Sequence, residues 1–244
     1  TITANSTTSY TTINAGSTTE MNNINACPDW LPTGTMYQVT DSRDSEVYNV
    51  AKLADGKCWM LDNLRLGINS TTTNLTPSDT NIAANYTLPQ GITSGFSSAT
   101  APNINAAYKN DVVTPSSAVY GSASGKVGVY YNYCAASAGE VCTAGDDAVD
   151  TTHDICPAGW RMPTGGPVNQ KTGFGEYQAL YSAYNSNATN FRNALATSLS
   201  GLFYGSTQYS LGSGGYFWSS TANSSYYAYT LSLDSSSVSP GTSY

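Results

Sequence analysis

The stretch Gly56-Lys-Cys-Trp-Met-Leu-Asp-Asn-Leu-Arg65 decides the fold when it is taken together with two later segments. These are Cys156-Pro-Ala-Gly-Trp-Arg-Met-Pro-Thr164 and Tyr216-Phe-Trp-Ser-Ser-Thr221. The three segments are rich in Trp, Cys and apolar residues, whereas only 10% of the chain is charged. We therefore expect them to meet in one core, with the tryptophan of each segment as a packing residue.

These segments also carry a family resemblance. The motifs D-G-x-x-W-M-x-x-N-L at 55–64, C-P-x-G-W-R-x-P-T at 156–164 and Y-F-W-S-S-T at 216–221 resemble the Fibrobacter succinogenes major paralogous domain, from about Met36 to the C-terminus. That family is related to the C-terminal domain of the Legionella collagen-like adhesin and, more distantly, to the C-type lectin and formylglycine-generating-enzyme folds. The resemblance implies an α+β, C-type-lectin-like mixed fold, β-rich with one or two helices and long irregular loops.

Apolar periodicity predicts the secondary structure. A three-stranded meander is expected over 36–40, 47–53 and 58–61, with Asp55-Gly56 as a type I′ turn. Apolar residues at i, i+3, i+4 and i+7 predict a helix over 175–184, and a second helix is expected over 189–197. Further strands are predicted over 127–133 and near 201–204, 216–219 and 226–233, with a flexible glycine-rich connection at 212–215.

Two regions fall outside this pattern. Residues 1–35 read as a Ser/Thr-rich linker or stalk, because the first 20 residues carry little apolar area to bury. The alternative is an edge strand built from 1–3 and 10–13. Residues 36–244 form the predicted domain, with a long insertion at about 67–125. That insertion is either laid over the core or contains short strands that the pattern does not resolve.

Charge and hydropathy exclude two classes of partner. Nine Lys and Arg against sixteen Asp and Glu give a net charge of −7, without a basic stripe that could follow nucleic acid or an anionic membrane. The apolar runs are shorter than the ~20 residues of a membrane-spanning helix, so we expect no membrane insertion. The chain begins at Thr1, which indicates a processed or trimmed fragment.

The five cysteines indicate an oxidising compartment, and hence an extracellular or cell-surface location. We predict a local disulfide between Cys134 and Cys142, whose spacing fits neither a redox motif nor a zinc site. We also predict a bridge between Cys27 and Cys58, which leaves Cys156 over. In the family the partner of Cys156 lies in a final G-F-x-V-R-C-V strand, which this sequence lacks.

Neither a cofactor nor an enzyme activity is expected. Calcium is the alternative, because a dense run of carboxylates offers oxygen ligands at Asp146, Asp147, Asp150 and Asp154. The run lacks EF-hand spacing, and the chain lacks the Glu-Pro-Asn and Gln-Pro-Asp triplets of calcium-dependent lectins. His153 is the only histidine, and the sequence has neither a G-x-S-x-G motif nor a candidate nucleophile at a strand-to-helix turn for a catalytic triad.

The C-terminal part is dense in Tyr, Ser, Gly and Asn, the composition of antibody contact loops. Solvent-facing strands of secreted proteins have the same composition, so this signal leaves both interpretations open. The resemblance favours binding, because lectin-fold proteins diversified by retroelements carry their variable positions in such a segment. The candidate ligand-binding residues are Tyr209, Asn223, Ser224, Ser225, Tyr227, Tyr229, Ser235 and Ser237.

Together these observations favour an extracellular, non-enzymatic recognition or adhesion domain of a bacterial surface protein. Its partner would be a protein or glycan ligand, bound through the Tyr/Ser/Asn-rich C-terminal surface as in a diversified variable protein. The alternative is a structural subunit of a surface filament or layer, in which the N-terminal segment adds a strand to a neighbouring molecule. Particle size at micromolar concentration separates the two hypotheses, because a filament subunit should assemble and a monomeric adhesin should not.

Overall fold

The structure of the protein is a computed structural model, and it describes residues 19–20, 32–66, 72–92, 102–105, 127–142, 150–166, 175–196, 199–224 and 227–243. It is β-rich with few helices. The strands are β1 (Thr19–Glu20), β2 (Met36–Thr40), β3 (Val47–Lys52), β4 (Cys58–Met60), β5 (Thr73–Leu75), β6 (Tyr86–Leu88), β7 (Ile104–Asn105), β8 (Tyr130–Tyr131), β9 (Leu202–Tyr204), β10 (Thr207–Tyr209), β11 (Gly214–Ser224), β12 (Tyr227–Asp234) and β13 (Val238–Ser243). The helices are α1 (Tyr133–Ala136), α2 (Glu176–Ala183) and α3 (Ala188–Leu195).

The predicted meander is confirmed as β2, β3 and β4, which pair antiparallel in that order. Its second turn differs from the prediction. Only Gly56 has a positive φ, +79°, and its N–H donates to Leu53 O at 2.9 Å. A three-residue loop therefore closes the hairpin, with a type I turn followed by a left-handed glycine, rather than a type I′ turn.

The C-terminal sheet pairs β11, β12 and β13 antiparallel, and α2 lies against β13. The predicted flexible connection at 212–215 is only partly a connection, because Gly214 and Gly215 already belong to β11 and pair with β12. The two predicted helices are confirmed as α2 and α3, within a few residues of their expected ends.

Side chains from the meander and from the C-terminal half of the chain pack together in the main core. Ala51, Leu61, Leu180, Phe191 and Leu231 are all buried in it, so the meander, both long helices and the C-terminal sheet pack together. The i, i+3, i+4 pattern of α2 and α3 places their apolar faces here. Trp59 belongs to the same core and is 8% exposed.

A second apolar cluster lies within the predicted insertion and its neighbours. Leu75, Leu88 and Ile104 are buried in it together with Val129 and Ile155. Of the two interpretations of residues 67–125, the structure therefore supports the one with short strands, since β5 pairs with β6 and β7 with β8.

The strand predicted over 127–133 is wrong over most of its length. Gly128 has a φ of +93°, and Asn132 caps the helix α1 by accepting the Ala135 N–H at 2.9 Å. Only residues 130–131 remain extended and paired. The run of aromatic residues favours a strand locally, but these two backbone features end it on both sides.

The predicted disulfide between Cys134 and Cys142 is present. Cys58 is also disulfide-bonded, whereas Cys27, its predicted partner, lies outside the described residues. Cys156 is free. Thr19 and Glu20 pair in parallel with Val39 and Thr40, and the rest of residues 1–31 lies outside the described part of the chain. Among the described residues, none of the helices is long and apolar enough to cross a membrane.

Candidate functional site

The three motif segments meet, as the sequence predicts, and their side chains explain the motif spacing. Asp55 accepts the indole N–H of Trp59 at 3.0 Å, so the first Asp of D-G-x-x-W fixes the tryptophan four residues later. The Gly165 N–H, next to the second motif, donates to Thr221 Oγ1 at 3.1 Å. The Ser220 N–H donates to Pro163 O at 2.9 Å. Hydrogen bonds therefore join the second motif to the third.

A cavity of about 880 Å³ opens where these segments meet. We call it the aromatic cleft. Its aromatic lining residues are Trp59, Tyr130, Tyr131, Trp160, Tyr177, Phe203, Tyr204, Tyr216, Phe217, Trp218 and Tyr227. Tyr204 is 79% exposed and Tyr227 is 54% exposed, so these two rings stand at its mouth.

The polar atoms of several of these rings already have partners in the protein. The Trp218 indole N–H donates to Tyr131 O at 2.8 Å, and the Tyr177 hydroxyl donates to Trp218 O at 3.1 Å. The Tyr130 hydroxyl donates to Ser200 O. Because these hydrogen bonds are satisfied internally, such rings offer the cleft their carbon faces.

One corner of the aromatic cleft carries charge. The Arg161 guanidinium forms a two-pronged ion pair with Glu176, at 2.6 and 2.7 Å, and Lys57 Nζ contacts the same carboxylate. Burial alone would raise the pKa of Glu176, but hydrogen bonds from Arg161 and Lys57 lower it to about 2. The side chains of Lys57 and Arg161 are 52% and 56% exposed.

The free thiol of Cys156 also lines the aromatic cleft. Burial and the adjacent Asp154 carboxylate raise the pKa of this thiol well above its ordinary value. Both effects disfavour the thiolate, which is the nucleophilic form. Cys156 is therefore a protonated wall residue near neutral pH and not an activated nucleophile.

The chain matches none of the known family models, curated proteins or solved structures. What the site can bind therefore follows from its own residues.

The structure does not bring the predicted ligand-binding residues to one surface. Tyr227 lines the cleft mouth, and Asn223 and Ser224 end the neighbouring strand β11, with Ser224 paired to Tyr227. Ser235 and Ser237 follow β12 at its far end, roughly 23 Å away along an eight-residue strand. There the Ser237 hydroxyl donates to Asp234.

Of the other three predicted ligand-binding residues, the two that the structure describes lie in different surroundings. Tyr229 is half-buried, and a Cβ built on Gly166 would lie 2.4 Å from its ring, so Tyr229 is a packing residue. Tyr209 is exposed on the β9–β10 hairpin and does not line the cleft. Ser225 lies outside the described residues.

The acidic loop has a structural role where it is described. The Asp154 carboxylate is buried and accepts the backbone N–H groups of Cys156 and Met162 at 2.9 and 2.8 Å. It thus shapes the second motif. Asp146 and Asp147 lie outside the described residues, and the described part, which includes Asp150, has no cluster of three or more potential metal ligands.

His153 lies away from the aromatic cleft. Its Nδ1 is 3.7 Å from a Glu140 oxygen, and Glu140 also accepts the backbone N–H groups of Thr152 and His153. These contacts tie the loop to the turn that follows α1. The Thr152 hydroxyl oxygen lies 3.0 Å from His153 Nδ1, and the hydroxyl donates to Glu140 Oε1 at 3.0 Å, so the hydroxyl, the imidazole and the carboxylate form one exposed hydrogen-bonded cluster outside the cleft lining.

Sequence reasoning missed the charged corner and half of the mouth. Lys57 lies in the first motif, one residue after Gly56, and Arg161 lies in the second motif, two residues after Gly159. Tyr204 lies in a strand that was predicted without a function.

The available signal was that the first and second motifs each carry a cation within two residues of a tryptophan, Lys57 near Trp59 and Arg161 next to Trp160. This pattern indicates that Lys57 and Arg161 face the same cavity.

Proposed function

We propose that this chain is an extracellular, non-enzymatic recognition domain of a bacterial surface protein, and that its protein or glycan ligand binds in the aromatic cleft. The observation that carries the proposal is the cleft itself, a cavity of about 880 Å³ walled by aromatic rings. Ligand sites are concave and mostly apolar, with a small number of polar groups. The cleft has this composition.

The cleft combines exposed aromatic rings at its mouth with ordered aromatic walls, and both features favour ligand binding. Tyr204 and Tyr227 offer large amphipathic rings at the mouth, where aromatic side chains dominate binding energy. Behind them, rings such as Trp218 are held by internal hydrogen bonds. Pre-ordered walls reduce the entropy lost on binding.

The titratable groups of the cleft favour binding over catalysis. Glu176 is held as a carboxylate by two cations, and Cys156 is held as a neutral thiol. A general acid or base needs a pKa close to the working pH, and a nucleophilic cysteine needs a lowered one. The pKa of Glu176 is instead lowered, away from neutral pH, and the pKa of Cys156 is raised.

A library selection tests this function. A random-peptide phage library and a glycan array are screened with the wild-type protein, and the strongest binders of each are measured on variants. Tyr204→Ser and Tyr227→Ser should each weaken binding about tenfold or more, with little change in melting temperature, because both rings are largely exposed.

Tyr209→Ser is the matched control, because it removes an exposed tyrosine that does not line the cleft. It should leave the affinity unchanged. If the selected binders lose affinity for Tyr209→Ser but not for the two cleft variants, the ligand binds elsewhere and the proposal fails.

A further inference from the structure

The charged corner of the aromatic cleft, formed by Lys57, Arg161 and Glu176, has more hydrogen-bond donors than acceptors. Both oxygens of Glu176 are fully used as acceptors. Oε1 accepts from Lys57 Nζ and Arg161 Nη2, and Oε2 accepts from Arg161 Nη1 and the Thr164 N–H. A carboxylate offers about four lone-pair positions, so this one has no capacity left for a ligand donor.

The two cations of this corner do have capacity left. Lys57 Nζ makes one of its three possible hydrogen bonds within the described structure. Arg161 Nη1 uses both of its hydrogens, on Met162 O and on Glu176, whereas Nε–H and one hydrogen of Nη2 make no hydrogen bond to the residues that the structure describes. Both side chains are more than half exposed and both residues line the cleft, so these donors are accessible to a ligand.

Within the cluster of Lys57, Arg161 and Glu176, one carboxylate faces two cations. Asp55 also lies near Lys57, since its Oδ1 accepts the Lys57 backbone N–H at 3.1 Å, but the Asp55 carboxylate is already bonded to the Trp59 indole N–H. A ligand group that fits here accepts hydrogen bonds, carries negative charge and donates nothing. A carboxylate meets all three conditions.

We infer that the ligand of the aromatic cleft is a protein segment that places an acidic side chain on Lys57 and Arg161 and an apolar side chain against the aromatic walls. This inference rests on the proposed function and names its ligand class. The walls favour an apolar side chain, since rings such as Trp218 and Tyr177, whose polar atoms are already bonded, offer an apolar anchor site. Aromatic faces also stack on the apolar face of a sugar, so an acidic sugar is the alternative that the test separates.

Short peptides test the inference directly. The probes are N-acetyl-Phe-Glu-amide, its neutral counterpart N-acetyl-Phe-Gln-amide, and glucuronic acid as an acidic sugar. Titrations followed by protein NMR should show the Glu peptide binding about three- to tenfold more tightly than the Gln peptide. The preference should shrink as salt is raised, because exposed charges are screened.

Variants assign the preference to the corner. Lys57→Gln and Arg161→Gln should each reduce the preference for the Glu peptide and keep the affinity for the Gln peptide, which shows that the cleft is still folded. Glu176→Gln should raise the affinity for the Glu peptide, because it removes the competing negative charge. Lys52→Gln is the matched control, since Lys52 does not line the cleft.

The outcomes separate the two proposals. If the Glu and Gln peptides bind equally, the inference is overturned and the binding role of the cleft stands. If glucuronic acid binds more tightly than the Glu peptide and depends on the same cations, the ligand class is a glycan and the inference is overturned. If none of the probes perturbs the cleft, the inference and the proposed function both fail.

Discussion

At the residue scale, Tyr229 and Gly166 depend on each other. Gly166 has a φ of +64°, and a Cβ at this position would lie 2.4 Å from the Tyr229 ring. The Ser219 hydroxyl also donates to Tyr229 O at 2.8 Å. Tyr229 therefore fixes the loop after the second motif onto the C-terminal sheet.

A double-mutant cycle tests this contact. Gly166→Ala should reduce the free energy of unfolding by about 2 to 4 kcal/mol, because it combines a steric clash with an unfavourable φ. In a Tyr229→Ala background the same change should cost only about 1 kcal/mol, the part due to φ. Urea unfolding of the four proteins measures the difference, and strict additivity would show that the two residues do not touch.

The buried carboxylate of Asp44 makes the stability of the fold depend on pH. Burial raises the pKa of Asp44 to about 6, and the neighbouring Asp41 and Glu46 act in the same direction. Its Oδ2 is buried without a hydrogen-bond partner among the described residues. The folded state therefore binds a proton more tightly than the unfolded state, so this group stabilises the fold below pH 4 and loses that contribution as pH rises through 6.

Asp44→Asn should therefore stabilise the protein at pH 7, where the wild-type carboxylate is charged and buried. Acidification from pH 7 to pH 5 should stabilise the wild type by more than it stabilises the variant. Urea unfolding at both pH values measures this. A variant that is less stable than the wild type at pH 7 would show that the ionised form is favourable in the fold.

At the element scale, the strength of the local signal decided what could be predicted. The meander follows from short apolar runs bounded by Asp and Gly, and α2 follows from apolar residues at i, i+3, i+4 and i+7, which pack into the main core. The strand over 127–133 fails for a tertiary reason. A Cβ on Gly128 would lie 2.5 Å from Asn63 Cβ, and this close approach, which local propensity does not encode, accompanies the positive φ.

The aromatic cleft was predictable only in part for a similar reason. That the three motif segments meet follows from their composition, and Tyr227 was selected from its Tyr/Ser surroundings. That Tyr229 packs on Gly166 and that Ser237 bonds to Asp234 depend on which neighbour lies across the sheet. Composition treats all of these residues as one surface, whereas the fold separates them.

The disulfide between Cys134 and Cys142 stabilises the element that follows β8. It spans eight positions directly after the start of α1, and Cys134 is buried. On the loop-entropy model, removing it through Cys134→Ser and Cys142→Ser together should cost about 2.5 kcal/mol of stability. Hydrogen exchange should then show the loss of protection concentrated around α1 and the second apolar cluster. Unchanged stability would mean that the bridge does not constrain the unfolded chain.

At the scale of the whole molecule, the edge strand β13 bears on the choice between a binding domain and a filament subunit. β13 contains Pro240, which cannot donate a backbone hydrogen bond, and α2 lies against the strand. Both features oppose the addition of a further strand at this edge. Sedimentation velocity at micromolar concentration should therefore show a monomer. Growth into long assemblies would favour the filament alternative.

The central claim is that a ligand enters the aromatic cleft, and the tryptophan indole signals report on it most directly. The chain has four tryptophans, and Trp160 and Trp218 line the cleft while being only half-buried. Their indole N–H resonances are assigned by single Trp→Phe changes and followed by NMR during titration with N-acetyl-Phe-Glu-amide, N-acetyl-Phe-Gln-amide and glucuronic acid. We expect both resonances to shift and saturate with at least one of these three probes. If the resonances of Trp160 and Trp218 stay fixed at the highest soluble concentration of all three, no such ligand enters the cleft and the proposed function is wrong.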